Sequence, residues 1–334
     1  MSISQKTSLA VIFAILPTVW AQSNGLIIGS GYTPPLPFVI APGALTTLYV
    51  QNIGTQTTTI TASALPLPLK LAGISVALKQ TGSLEGPIPV PIPVPILAVF
   101  TVDACPTPVF GFAPCGRVTG INVQIPFELV PNPSAGPGAP MGTNFAQLIV
   151  SDEAGNQAII EAIPTSDNIH ILRTNDTLMA PGKPYYLRQG GAPLITHSDG
   201  KLVSAGNPAQ SGETLVLYAV GLGRVTPNVA PNLKSGEATP SPAPTVIIFT
   251  DFTFNFTGEP SAHLPLFNDE NRNAYVFAGL SPGSVGLYQV NFVVPELPPQ
   301  FKTRCDTSLG NTNLTVSIGR LKSFDGVGIC VRVP

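Results

Sequence analysis

Three residues in a row, His197-Ser198-Asp199, carry the letters of a serine hydrolase. Their adjacency is the wrong geometry, because the members of such a triad converge from separate elements. No Gly-x-Ser-x-Gly elbow accompanies them, and Asp199-Gly200 reads as a turn. Glycoside hydrolysis needs two carboxylates roughly 5–10 Å apart. Glu128 and Glu296 each follow a strand-ending proline, but they occupy equivalent places in two separate halves of the chain. The polar run Asn268-Asp269-Glu270-Asn271-Arg272-Asn273 offers oxygen ligands. Asn268, Asp269 and Glu270 are therefore weak candidates for calcium, against the plainer reading of a solvated loop tip. Phosphate loops, histidine clusters of metal-binding type and redox Cys-x-x-Cys pairs are missing from the sequence, so no catalytic residue and no cofactor is assigned.

The four cysteines are Cys105, Cys115, Cys305 and Cys330, and three connectivities are open to them. Local bridges, Cys105–Cys115 and Cys305–Cys330, are the expectation if the chain is exported to an oxidising compartment. Export is itself expected from residues 1–21, read as a signal peptide. Lys6 supplies the charge, Leu9–Leu16 the short apolar run, and Val19-Trp20-Ala21 the cleavage site. That run is short of the roughly 20 residues that span a bilayer. The mature chain is therefore expected without a transmembrane span, in the periplasm, at the cell surface or outside the cell.

Composition sets the frame for these groups. Charged residues are 10% of the chain and the net charge is −2. A typical globular chain carries roughly 25% charged residues. Lysine and arginine are too sparse for a nucleic-acid groove. The 37 prolines and 32 glycines, with 44% hydrophobic residues, fit many short strands joined by tight turns. The proline-spaced stretch from Pro87 to Phe100 is apolar but cannot be helical.

The chain also repeats itself. Pro42–Val50 and Gly120–Leu129 return as Ser211–Ala219 and Tyr288–Leu297. Short runs punctuated by Gly and Pro predict strands at 45–50, 57–61, 73–78, 97–102, 120–126, 146–150 and 157–162, several of them alternating, as Ile74, Val76 and Leu78 and then Ile121, Val123 and Ile125 do. A second set is predicted at 215–220, 245–249, 275–278, 287–294, 312–318 and 328–333. No amphipathic helix is evident. The expectation is an all-β chain of two tandem immunoglobulin-like β-sandwiches, 22–165 and 166–334, with the segment 169–204 joined to the second. Within it Gly221 and Gly223 suit a bend with positive φ, and Tyr288 a buried ring with a tethered hydroxyl. Asn122 and Asn291 suit amides that pin a neighbouring loop.

Residues 196–333 resemble a known family. Thr196-His197-Ser198-Asp199-Gly200, Asn207-Pro208-Ala209, Gly212-Glu213-Thr214, Gly221-Leu222-Gly223, Val225-Thr226-Pro227 and Val285-Gly286-Leu287-Tyr288-Gln289-Val290-Asn291 are similar to the uncharacterised Solibacter C-terminal domain of exported acidobacterial proteins. Cys305 and Cys330 fit the same pattern. Residues 22–165 look like a diverged copy, with Asn52-Ile53-Gly54 where the second half has Gly-Leu-Gly. The resemblance implies IPT/TIG-type immunoglobulin-like modules and no known catalytic residues. Taken together, an exported non-catalytic protein with a structural, adhesive or binding role is expected, its partner a glycan or an envelope protein. The alternative is an extracellular hydrolase, or an accessory carbohydrate-binding module, with unrecognised site residues. The oligomeric state is left open.

Overall fold

The computed structural model describes residues 27–30, 38–54, 58–81, 88–104, 116–132, 145–174, 176, 191–226, 233–246, 250–255, 272–273, 275–296, 304–305, 310–318, 321–322 and 327–333. Among these the chain is all-β and contains no helix, so none is long and apolar enough to cross a membrane.

The first half forms two sheets. One has the strands β1 (Ile27–Ser30), β3 (Leu45–Val50), β9 (Gly116–Gln124), β8 (Ile96–Ala104) and β4 (Ile60–Thr61), in that spatial order. The other runs β2 (Val39–Ile40), β11 (Gln157–Pro164), β10 (Phe145–Ser151), β6 (Ile74–Thr81) and β5 (Lys70–Leu71), with β7 (Ile88–Pro93) also on β6. Alternation explains the packing. Leu148 and Val150 of β10, Ala158 and Ile160 of β11, and Val76 and Leu78 of β6 are buried against Leu48, Val50, Ile121 and Val123 of the facing sheet. The intervening residues of β10 and β11 turn outward. Two sheets facing across one apolar core are the arrangement of a β-sandwich.

The second half repeats this with β12 (His170–Ile171), β13 (Ile195–Thr196), β14 (Thr214–Val220), β18 (Tyr288–Val293) and β17 (Tyr275–Leu280) in one sheet. The other holds β15 (Thr250–Asn255), β16 (Arg272–Asn273), β19 (Thr312–Ile318), β20 (Leu321–Lys322) and β21 (Val327–Ile329). Leu215, Leu217, Val290 and Phe292 meet Leu314, Val316, Val327 and Ile329 in its core. Both β12 and β13 pair with β14, which places 170–171 and 195–196 in this sheet. Cys305 and Cys330 form a disulfide beside that core.

The repeated segments also pair alike. Thr47 lies opposite Asn122 in β3–β9, and Val216 lies opposite Asn291 in β14–β18. Tyr49 and Tyr218 stand two residues on in each copy. The Asp152–Asn156 turn joins β10 to β11, closed by the Asp152 amide donating to Asn156 O and by Asp152 Oδ1 accepting from the Asn156 amide. The strand expected at 245–249 is described only at its start, where Thr245 and Val246 make isolated bridges.

Candidate functional site

His197 leads out of β13 into the turn His197–Lys201, in which the His197 amide donates to Lys201 O. Its Nδ1 lies against Glu213 Oε1, and its Nε2 is 3.1 Å from Asn207 O. Both partners can accept, an arrangement that favours the doubly protonated, charged imidazole over the neutral one. Burial alone would lower its pKa. The Glu213 hydrogen bond, the Asn207 carbonyl and the carboxylates of Glu213 and Asp199 outweigh that and raise it. Glu213 Oε2 also accepts from the Gln210 amide, and Asp199 forms an exposed ion pair with Lys201. The histidine thus ties the 207–213 turn to the end of β13. In the charged form it has no lone pair free to take a proton from a nucleophile.

His170 on β12 is buried, with Nε2 3.0 Å from Asp176 Oδ2, which also accepts from the Arg173 amide at 2.6 Å. This pair folds residues 170–176 back on themselves. The sequence offers no signal for it, since a histidine and an aspartate six residues apart form no motif.

A set of close main-chain contacts joins the two halves. Ser166, Asp167 and Asn168, directly after β11, run against Gly221 and Gly223, directly after β14. A Cβ on Gly221 would lie 2.1 Å from Asn168 O, and one on Gly223 would lie 2.1 Å from Ser166 O. Both glycines have positive φ, 75° and 85°. Backbone can approach this closely only where there is no side chain. The Asn168 amide donates to Gly221 O at 2.8 Å, and the Tyr288 hydroxyl donates to Gly223 O at 2.5 Å. Tyr288 is fully buried, and burial raises its phenol pKa well above the ordinary value. Asp167 is 7% exposed. Burial pushes its carboxyl up to about 6, against the opposing hydrogen bond from Ser166 Oγ.

A second set of contacts also links the two halves. The Gly236 amide donates to the buried Gln124 Oε1, while Gly236 O accepts from the Leu67 amide at 2.8 Å. Ser235 Oγ accepts from the Phe127 amide, and the Phe127 ring packs on the second core. Arg224 Nη2 donates to Leu129 O at 3.2 Å. Leu45, Leu172 and Val220 form a small apolar cluster drawn from both halves, flanked by Leu194, Tyr218 and Leu287.

The remaining sequence candidates fall elsewhere. Asn122 is buried and accepts from Thr47 Oγ1 at 2.7 Å, a bond between neighbouring strands. In the second copy Val216 replaces that threonine and cannot donate, and the half-buried Asn291 accepts from Gln289 Nε2 at 3.4 Å. Two amides outside any motif also hold main chain at a distance. Gln80 bonds both the amide and the carbonyl of Val130, and Asn311 bonds both those of Val331. Glu128 and Glu296 are exposed, and Glu128 Oε2 lies 3.5 Å from Ser235 Oγ. Cys105, Cys115, Asn268, Asp269 and Glu270 lie outside the described residues. Among the described residues no group of three or more His, Cys, Asp or Glu side chains is placed to hold a metal ion. Compared with models of known protein families the chain matches none, and it has no match among curated proteins.

Proposed function

We propose that this chain is an exported, non-catalytic protein. In this reading a signal peptide (1–21) precedes two tandem immunoglobulin-like units, 22–165 and 166–334, that serve a structural, adhesive or binding role at the cell envelope or outside the cell. One observation supports the reading best. Three described residues with chemical potential are engaged within the chain: His197 with Glu213 and Asn207 O, His170 with Asp176, and Tyr288 with Gly223 O. A general base needs a free lone pair within reach of a substrate proton. The matching register of Thr47–Asn122 and Val216–Asn291 supports the tandem arrangement. The likeness of residues 196–333 to the Solibacter C-terminal domain supports export.

The test has two arms. The purified chain is screened on a glycan array and used to retain partners from an envelope extract. It is also incubated with ester, peptide and glycoside substrates. Specific retention in the first arm with background turnover in the second is the expected result. Turnover that disappears in His197→Ala, Asp199→Ala or Glu128→Ala would establish the hydrolase instead.

A further inference from the structure

Prolines occupy every second position from Pro87 to Pro95, and the strand β7 falls inside that run. The spacing has a phase relative to the sheet. The Val94 amide donates to Val76 O of β6, and Ile92 lies opposite Leu78, so the even-numbered amides face β6. Pro93 lies opposite Ala77, in the intervening position whose backbone groups point away from β6. The irregularity in the pairing spans Ile88 to Ile92 against Gln80 to Leu78. Both steps are even, so the same phase holds to Ile88. Each residue of β7 that should present an amide to the open side is therefore a proline, Pro89, Pro91 or Pro93, and has none. Each residue that must donate inward keeps its amide.

Among the described residues no other strand pairs with β7 on that side. Pro91, Pro93 and Val90 are exposed, Val90 by 68%. An apolar, exposed edge strand is ordinarily a template for another strand. A row of carbonyls without amides cannot form a β ladder, which needs both. We infer that the alternating prolines blunt β7, so that a second copy of this chain cannot extend the six-stranded sheet through this edge.

Restoring the amides tests this. In P89T/P91T/P93T, self-association measured by sedimentation velocity across a concentration series should rise roughly tenfold or more over the parent, as one to two recovered backbone hydrogen bonds would allow. The single variant P91T guards against misfolding of the triple and should show a smaller rise in the same direction. Ile92→Pro removes an inward amide and should lower the melting temperature, whereas P91T should not. Folded variants that associate no more than the parent would overturn the inference. So would an Ile92→Pro chain as stable as the parent, because the phase of the prolines would then be irrelevant.

Discussion

Replacing Gly223 by alanine should be among the most damaging single-methyl changes available in this chain. The cost has two sources. A residue with a Cβ at φ near 85° pays roughly 1–2 kcal/mol for the left-handed conformation. The new methyl would also lie 2.1 Å from Ser166 O, and Ser166 belongs to main chain that cannot swing aside as a side chain can. Relief requires moving either strand end, which pulls Gly223 O away from the Tyr288 hydroxyl. Losing that buried bond costs about 1–3 kcal/mol more. The expected total is about 2–5 kcal/mol, read from urea unfolding followed by tryptophan-independent far-ultraviolet circular dichroism. Tyr288→Phe removes the same bond without the clash and should cost about 1–3 kcal/mol. Because both changes remove one bond, the double variant should fall short of the sum by the cost of that bond, about 1–3 kcal/mol. A Gly223→Ala chain within about 0.5 kcal/mol of the parent would refute the packing of 166–168 against the Gly-Leu-Gly turn.

Three further outcomes follow from the same contacts. Asn311→Ala leaves the buried amide and carbonyl of Val331 without their side-chain partner and should cost about 2–4 kcal/mol in the same unfolding assay. Asp167 has a folded pKa of about 6 against 3.8, so its neutral form suits the fold. The associated stability is present below the lower value and is lost as pH rises through about 6. Asp167→Asn should therefore unfold at higher temperature than the parent at about pH 8 and match it at about pH 4; equal melting temperatures at both would contradict the burial of this carboxyl. His197 has a raised pKa, so its contribution is complete below the unfolded value and fades as pH climbs past the folded one. The stability gap between parent and His197→Gln should shrink accordingly, and the imidazole should titrate above the ordinary range by NMR; a depressed titration would show that the Glu213 contact is not formed.

Much of the strand content could be read before any coordinates, because period-two burial is a local property. The strands 146–150, 157–162, 215–220 and 312–318 each carry an apolar face in their own residues, and β10, β11, β14 and β19 lie there. The short edge strands β2, β5 and β16 were not legible, since two residues hold no period. The run at 88–93 was read only as non-helical, because proline excludes a helix locally while permitting a strand at an edge.

The candidate site divides along the same line. His197, Gly221, Gly223 and Tyr288 stood out by type and spacing. Asp167, Asp176, Gln80, Gln124 and Asn311 did not, because a buried polar side chain is defined by what surrounds it, and those partners are distant in sequence.

By itself the sequence determined that this is a β chain with a repeated segment, few charges and a disulfide-capable cysteine pair at 305 and 330. It also determined which strand faces are apolar, since each of these resides in composition or in neighbours one or two positions away. Only the tertiary structure decided that Ser166 and Asn168 press on Gly223 and Gly221, that Gly236 bonds Gln124 and Leu67, and that the prolines of β7 face outward. Those outcomes depend on register and on pairs of residues brought together across loops, and main-chain hydrogen bonds between such pairs carry no signature in the side chains that flank them.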